Sequence, residues 1–362
     1  MKKFIAPLFI AILLFSCSQE KIKSSENYIE EFNLEGISPM EINILPIPKV
    51  IYVWTESSNY EALLRAKKII KFSENATLDS TRGKIWTDTS FRYIVTAENG
   101  DRREYSVQID TTIPKKYNFE SWSLSNNGKD GYYMLSNMRW ASGNQGIGMA
   151  LAMLSRDSKN PESYPTKKTS EGYIGSAALL ETIKGGSVFG QDIPIFSGNL
   201  FMGSFNVAKA INGDELAATE FGKLYLTKPK SISGYYKYKE GEGVFITGDP
   251  SKNDSCDIYA AFYQAKDDDG KEIILTAKEK DDLDKLPYVL TYARQQDCSA
   301  TEGNDFHKFV LNFDTYKSEP DFEKYNYKLF ITFAASKGGG TYEGKIGSKL
   351  IIDEVEIEDY EN

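Results

Sequence analysis

Near the end of the chain, Lys328-Leu-Phe-Ile-Thr-Phe-Ala-Ala-Ser-Lys337 alternates Leu329, Ile331 and Phe333 with Phe330, Thr332 and Ala334. A period of two in aliphatic, β-branched and aromatic residues predicts a strand. Ser348 to Ile357 predicts a second strand, and Gly338-Gly-Gly340 marks a turn between them. Those glycines lead into a strand and not a helix, which excludes a phosphate-binding loop. Asp353-Glu354 interrupts the second apolar run. An unpaired carboxylate is costly to bury, so Asp353 is expected to face solvent, to pair with a basic side chain or to bind a cation.

The same alternation recurs upstream in two blocks. In residues 28–112, short strands are predicted at 43–48, 50–54, 69–72, 91–97 and 103–109, with a helical turn or two at 61–68. Asn99-Gly100 predicts a type I′ hairpin between the last two strands. Thr111 to Tyr117, with Pro114 unable to join a ladder, reads as a linker. Residues 113–362 carry eight or more further strand signals and no alternation of strand with helix, which favours an antiparallel sandwich or jelly roll. The fold class expected is therefore all-β, a smaller sandwich followed by a larger jelly roll.

Composition sharpens this picture. A chain of 362 residues is long enough for two domains, and 13% aromatic residues with 28 glycines suits β structure rich in turns. The net charge of −9 and the lack of a basic run interleaved with aromatics argue against a nucleic-acid partner. At the N-terminus, Lys2 and Lys3 precede an apolar stretch from Phe4 to Phe15, the pattern of a secretory signal. Its end, Leu14-Phe15-Ser16-Cys17, resembles a bacterial lipobox, with Phe15 off the usual pattern. That resemblance implies cleavage before Cys17, acylation of its thiol and anchoring in a lipid bilayer, with residues 18–27 as a tether. The cell envelope, specifically the outer membrane, is then the expected location; an incidental Cys after a signal peptide is the alternative. Cys256 and Cys298 remain, either as a disulfide or as two free thiols, and with one His they argue against a zinc site.

Residues 70–78 and 91–109 resemble the immunoglobulin-like domains at the front of Bacteroidetes surface lipoproteins, which implies a stalk. Phe119-Glu-Ser-Trp122, Trp140-Ala-Ser-Gly-Asn144, Gly198-Asn-Leu-Phe-Met-Gly203, Gly234-Tyr-Tyr-Lys-Tyr238, Ala335-Ser-Lys337 and Gly347-Ser-Lys-Leu-Ile-Ile-Asp353 occur in order. Together they resemble the "putative carbohydrate metabolism" domain of the same lipoproteins, over about residues 117–360. The ends of that block are also similar to jelly-roll carbohydrate-binding modules. This resemblance implies a structural calcium ion linking first and last strands, with Glu120 and Asp353 as side-chain ligands.

Sugar recognition uses flat aromatic surfaces with amides and carboxylates at their edge. Trp140 with Asn144, in what reads as a Gly-rich loop, and Tyr236 are the candidate glycan contacts, although core packing is the commoner role for any one such aromatic. Glycoside hydrolysis needs two carboxyl groups set roughly 5–10 Å apart; Asp257 and Glu171 are the candidates, without a motif to support them. His307 has no nucleophile motif to serve. Three readings stand at this point: a glycan-binding envelope lipoprotein, a glycoside hydrolase, and an adhesive or structural surface protein with protein partners.

Overall fold

The computed structural model describes residues 22–39, 41–45, 49–79, 91–125, 131–136, 139–188, 190–301 and 305–361. Cys17 and the signal segment lie outside the described residues.

The first unit contains β1 (Ile29–Leu34), β2 (Glu41–Leu45), β3 (Val50–Trp54), helix α1 (Tyr60–Arg65), β4 (Lys68–Phe72), β5 (Thr77–Asp79), β6 (Phe91–Thr96) and β7 (Arg102–Asp110). A five-stranded sheet runs β2-β3-β7-β6-β5, and β1 pairs with β4 as a second layer. β3 and β7 are parallel neighbours, and all other pairs in the unit are antiparallel. Ile51, Val53, Leu63, Val95 and Tyr105 fill the space between the layers. The Asn99-Gly100 hairpin forms, but only Gly100 takes a positive φ, +94°. Gly100 N–H donates to Ala97 O and Ala97 N–H to Asp101 O, so the turn is a type I turn closed by a glycine bulge and not the expected type I′.

The second unit opens with β8 (Lys116–Tyr117), β9 (Trp122–Leu124), β10 (Tyr133–Leu135), β11 (Trp140–Ala141) and α2 (Asn144–Met153). β12 (Thr166–Thr169), β13 (Ala177–Val188), β14 (Gln191–Ser197) and β15 (Asn199–Phe205) follow. Two short helices, α3 (Val207–Ile211) and α4 (Glu215–Ala218), precede β16 (Thr219–Phe221), β17 (Lys223–Tyr225) and β18 (Pro229–Lys239). The chain ends with β19 (Asp257–Gln264), β20 (Leu275–Thr276), β21 (Val289–Arg294), β22 (His307–Asn312), β23 (Tyr327–Ala334) and β24 (Lys349–Asp359).

These strands make an antiparallel sandwich. One sheet runs β20-β16-β15-β23-β19-β21, with β11 on β15 and β17 on β23. The other runs β12-β13-β24-β18-β22, with β14 on β13 and β8 on β24. The two alternating segments noted first in the sequence become central strands of opposite sheets. Ile331 and Phe333 of β23 face Phe309, Leu350 and Ile352 of the other sheet, in a continuous core. The protein is thus all-β, with helices only as covers.

Asp353 corrects an expectation. It lies in the middle of β24, buried, opposite Tyr235 at a bulge in β18. It is neither solvent-facing nor salt-bridged. Its Oδ2 accepts the Ile174 N–H at 2.9 Å and its Oδ1 the Glu354 N–H at 2.8 Å. Backbone amides supply positive ends that the sequence argument sought in basic side chains.

The two units dock through a buried ion pair, Lys223 Nζ to Glu41 Oε1 at 2.9 Å. Burial raises the Glu41 carboxyl, but the charge and hydrogen bond of Lys223 outweigh that and hold it below its ordinary value.

Candidate functional site

Side chains on a strand alternate between faces, so each strand of the eight-stranded sheet presents a second set away from the sandwich core. In register across three strands, Asn199, Ala334 and Asp257 form one row, and Phe201, Thr332 and Tyr259 the next. Phe221 and Phe330 stack beside them at 4.5 Å, and Tyr259 meets both rings edge-on. This outer face is covered by α2, α3, α4 and the turn at 336–342. The cover leaves a cleft of about 200 Å³.

The cover is fixed from behind by Asp254. Its Oδ2 accepts hydrogen bonds from Ser336 Oγ at 2.6 Å, Ser348 Oγ at 2.7 Å and Lys345 N at 2.8 Å, which ties the turn to the start of β24. Gly339 sits against Ser197, where a Cβ would collide, so only glycine lets the turn approach β14 this closely.

Two carboxylates line the cleft among the described residues, Asp257 and Glu215, and the first is ion-paired. Asp257 forms a two-pronged pair with Arg294, Nε to Oδ1 at 2.7 Å and Nη2 to Oδ2 at 2.5 Å. The guanidinium also bonds Asp281 at 3.0 Å and lies 4.8 Å from the centre of the Tyr259 ring. Glu215 meets the Tyr342 hydroxyl, whose pKa is pushed up by burial and by the Glu215 charge. Lys280, anchored by its Nζ to Lys337 O at 2.8 Å, and the exposed Lys337 stand beside Asp257 at the polar end.

The residues singled out from sequence are distributed as follows. Trp140 is core: Tyr117 and Phe119 meet it edge-on at 5.2 and 5.5 Å, and Phe333 stacks on it at 5.9 Å. It reaches only a side cavity of about 60 Å³ shared with Trp122, Tyr133 and Gln145, well below the roughly 150 Å³ that admits a benzene ring. Asn144 is buried, donating from Nδ2 to Thr166 O at 2.6 Å and accepting from Thr166 N at 3.3 Å, and so pins α2 to β12. The Gly-rich loop expected there is this helix. Tyr236 is buried with its hydroxyl on Asp297 O at 3.4 Å. All three expected glycan contacts are thus framework in this structure, the two rings covered by neighbours far away in sequence and the amide spent on Thr166.

Glu171 lies on a surface loop 3.7 Å from Lys237, away from Asp257, so these two make no catalytic pair. His307 is exposed, 6.2 Å from the Tyr236 ring. Cys256 and Cys298 are buried, unbonded thiols joined by a backbone hydrogen bond of 3.0 Å, and burial with the neighbouring thiol pushes Cys256 well up. Glu120 and Asp353 reach the same turn: Glu120 Oε1 accepts the Ser176 N–H at 2.8 Å, two residues from the Ile174 amide on Asp353. Arg294, Lys280, Lys337, Glu215 and Tyr259 were not found from sequence. The one usable signal was Asp257 at the head of an apolar strand, a carboxylate that demands a partner.

Fold and cleft together define an all-β sandwich protein with an aromatic-floored, polar-ended groove on one sheet. More particularly, the chain belongs to the family described as "putative carbohydrate metabolism domain", whose model matches residues 86–358. It is similar to the crystal structure of a protein from Bacteroides thetaiotaomicron VPI-5482 described as a putative glycoside hydrolase. Identity is 29%, coverage is 95% of this chain and all of that one, and the TM-score is 0.79. A second protein so described, from Bacteroides vulgatus ATCC 8482, is 30% identical over 69% of this chain and 99% of its own, with a TM-score of 0.59. No curated protein matches the chain.

Proposed function

We propose that this chain is a cell-envelope lipoprotein whose C-terminal sandwich binds glycan in the outer-face cleft without cleaving it. The observation that carries this reading is the state of the two cleft carboxylates. A glycosidase needs one carboxyl to give up a proton and another to attack or to activate water. Here Asp257 is locked to Arg294, which leaves Glu215 without a second free carboxyl in the cleft among the described residues. Tyr259, Asn199, Thr332, Lys280 and Lys337 supply what recognition alone requires, an aromatic floor and hydrogen-bonding groups at its margin. Anchoring through an acylated Cys17 belongs to the same proposal and rests on the pattern of residues 2–17.

The second reading, a glycoside hydrolase, is favoured by the descriptions of the two similar Bacteroides proteins. A glycan array probed with the chain from Ser18 onward, beside an Ala334→Trp variant that fills the cleft, separates them. Binding by the first and none by the second, with matching melting curves, supports the cleft as a glycan site; equal binding by both removes it. Cleavage of the bound glycan selects the hydrolase.

We extend the proposal to a structural calcium ion at the turn shared by Glu120 and Asp353. The donors there are oxygens, the chemistry calcium takes. Among the described residues no group of three or more Asp, Glu, His or Cys side chains converges, so carbonyls and water would complete the shell.

A further inference from the structure

We propose that the cleft takes a glycan bearing an apolar aglycone, an alkyl or aryl group, with that group lodged beneath α2 and α3. The inference rests on the reading of the cleft as a glycan site and supplies the other half of its ligand.

The cleft is divided by polarity. Asn199, Asp257, Thr332, Ser336, Lys280 and Lys337 lie where β15, β19 and β23 meet the covering turns. The opposite wing is built by α2, the β13–β14 hairpin and α3, and it offers Ile147, Met149, Val188, Ile193 and Ile211. Val188 and Ile193 form a small apolar cluster with Ala150 and Phe196, separate from the sandwich core. Ile211 is 42% exposed.

A sugar hydroxyl placed against Ile147, Met149, Val188, Ile193 and Ile211 would lose its bonds to water and find no partner on these side chains, with Tyr342 at the edge of the same cluster as the nearest hydroxyl. An apolar group has the reverse balance, and each methylene it buries tightens binding about fourfold. The apolar group has room: the cleft, about 200 Å³, exceeds the roughly 150 Å³ of an apolar cavity that accepts benzene, and the sugar would sit at its polar end and project outward. A free oligosaccharide would leave the wing in contact with water, whereas a glycoside with an apolar tail fills both ends.

The test is calorimetric titration of the chain from Ser18 onward with paired methyl and hexyl glycosides of glucose, galactose, mannose and N-acetylglucosamine, and with 1-hexanol. The expected result is hexyl binding at least tenfold tighter than methyl for the sugar recognised, with hexanol far weaker than either. In Ile211→Lys, whose exposed position leaves the fold intact by melting curve, the hexyl-to-methyl ratio should fall towards one. A ratio near one in the unaltered protein overturns the aglycone inference and leaves the glycan reading standing. Hexanol binding as tightly as the hexyl glycosides overturns the glycan reading, and the inference with it. No binding of any probe overturns the inference, and array binding then decides the glycan reading by itself.

Discussion

The eight-stranded sheet has two faces built by alternate residues of the same strands, and they are finished differently. On the inner face, Ile258, Phe262, Ile331 and Phe333 meet a second sheet, and aliphatic and aromatic side chains fill the space. On the outer face, Tyr259, Phe330 and Phe221 meet helices of ten, five and four residues with turns between them. A cover made of short pieces cannot follow a sheet continuously, and the gap it leaves is the cleft. Asp257 sits at its edge with a dedicated guanidinium. Closing a sheet with another sheet makes a core; closing it with short helices makes room for a ligand.

The largest effect should come from the filled face. Phe333→Ala removes a fully buried ring that touches Trp140 and Phe309 and should cost about 3–5 kcal/mol in denaturant unfolding. A loss under about 1 kcal/mol would mean that the inner face is not the closed core described. Next, Asp257→Ala leaves Arg294 without its main partner. The cost should be about 3 kcal/mol, the low end for a broken buried pair, because the Arg294 side chain is 19% exposed and keeps Asp281. The double variant Asp257→Asn, Arg294→Gln should recover part of that loss; strict additivity would show that the two groups do not depend on each other.

A third effect concerns the turn held by Glu120 and Asp353. If calcium sits there at a hundredfold excess over its Kd, chelation should remove about 2.7 kcal/mol and lower Tm. Glu120→Gln should show a smaller response to chelator, and a Tm indifferent to chelator would remove the ion from the account. The smallest effect is at the domain junction. Glu41 has a folded pKa below its ordinary 4.5, so its contribution is complete above that value and is lost as pH falls through the folded one. The stability gap between the protein and Glu41→Gln should therefore close on acidification below about pH 4.5. A gap that is constant across that range would show that Glu41 does not titrate with folding.

Much of the fold was legible because alternation is local. The segments around Leu329 to Phe333 and Leu350 to Ile357 needed no tertiary information to be read as strands, and the Asn99-Gly100 turn announced itself. Helix α2 was not legible. Gly146 and Gly148 lower helix propensity by about 1 kcal/mol each relative to Ala, and only packing explains them, since a Cβ at Gly148 would press on the Tyr164 hydroxyl at 2.9 Å. The hydrogen-bond partners of Asp353 were hidden for a related reason: they are amides of residues 174 and 354, and amides carry no residue label. The cleft was hidden because its parts come from separate stretches between Gly143 and Tyr342 that meet only in the fold, while the tryptophan of the motif that stood out, Trp140, is spent on the core.

The central claim is that the outer face binds and does not cut. The most direct measurement is to incubate the chain from Ser18 onward with each glycan it retains on an array, then to separate the products by chromatography with mass detection. Recovery of every bound glycan at its original length is the result predicted from an Asp257 carboxylate held by Arg294. Accumulation of shortened glycans, abolished by Asp257→Asn or Glu215→Gln, would contradict it and make the cleft an active site.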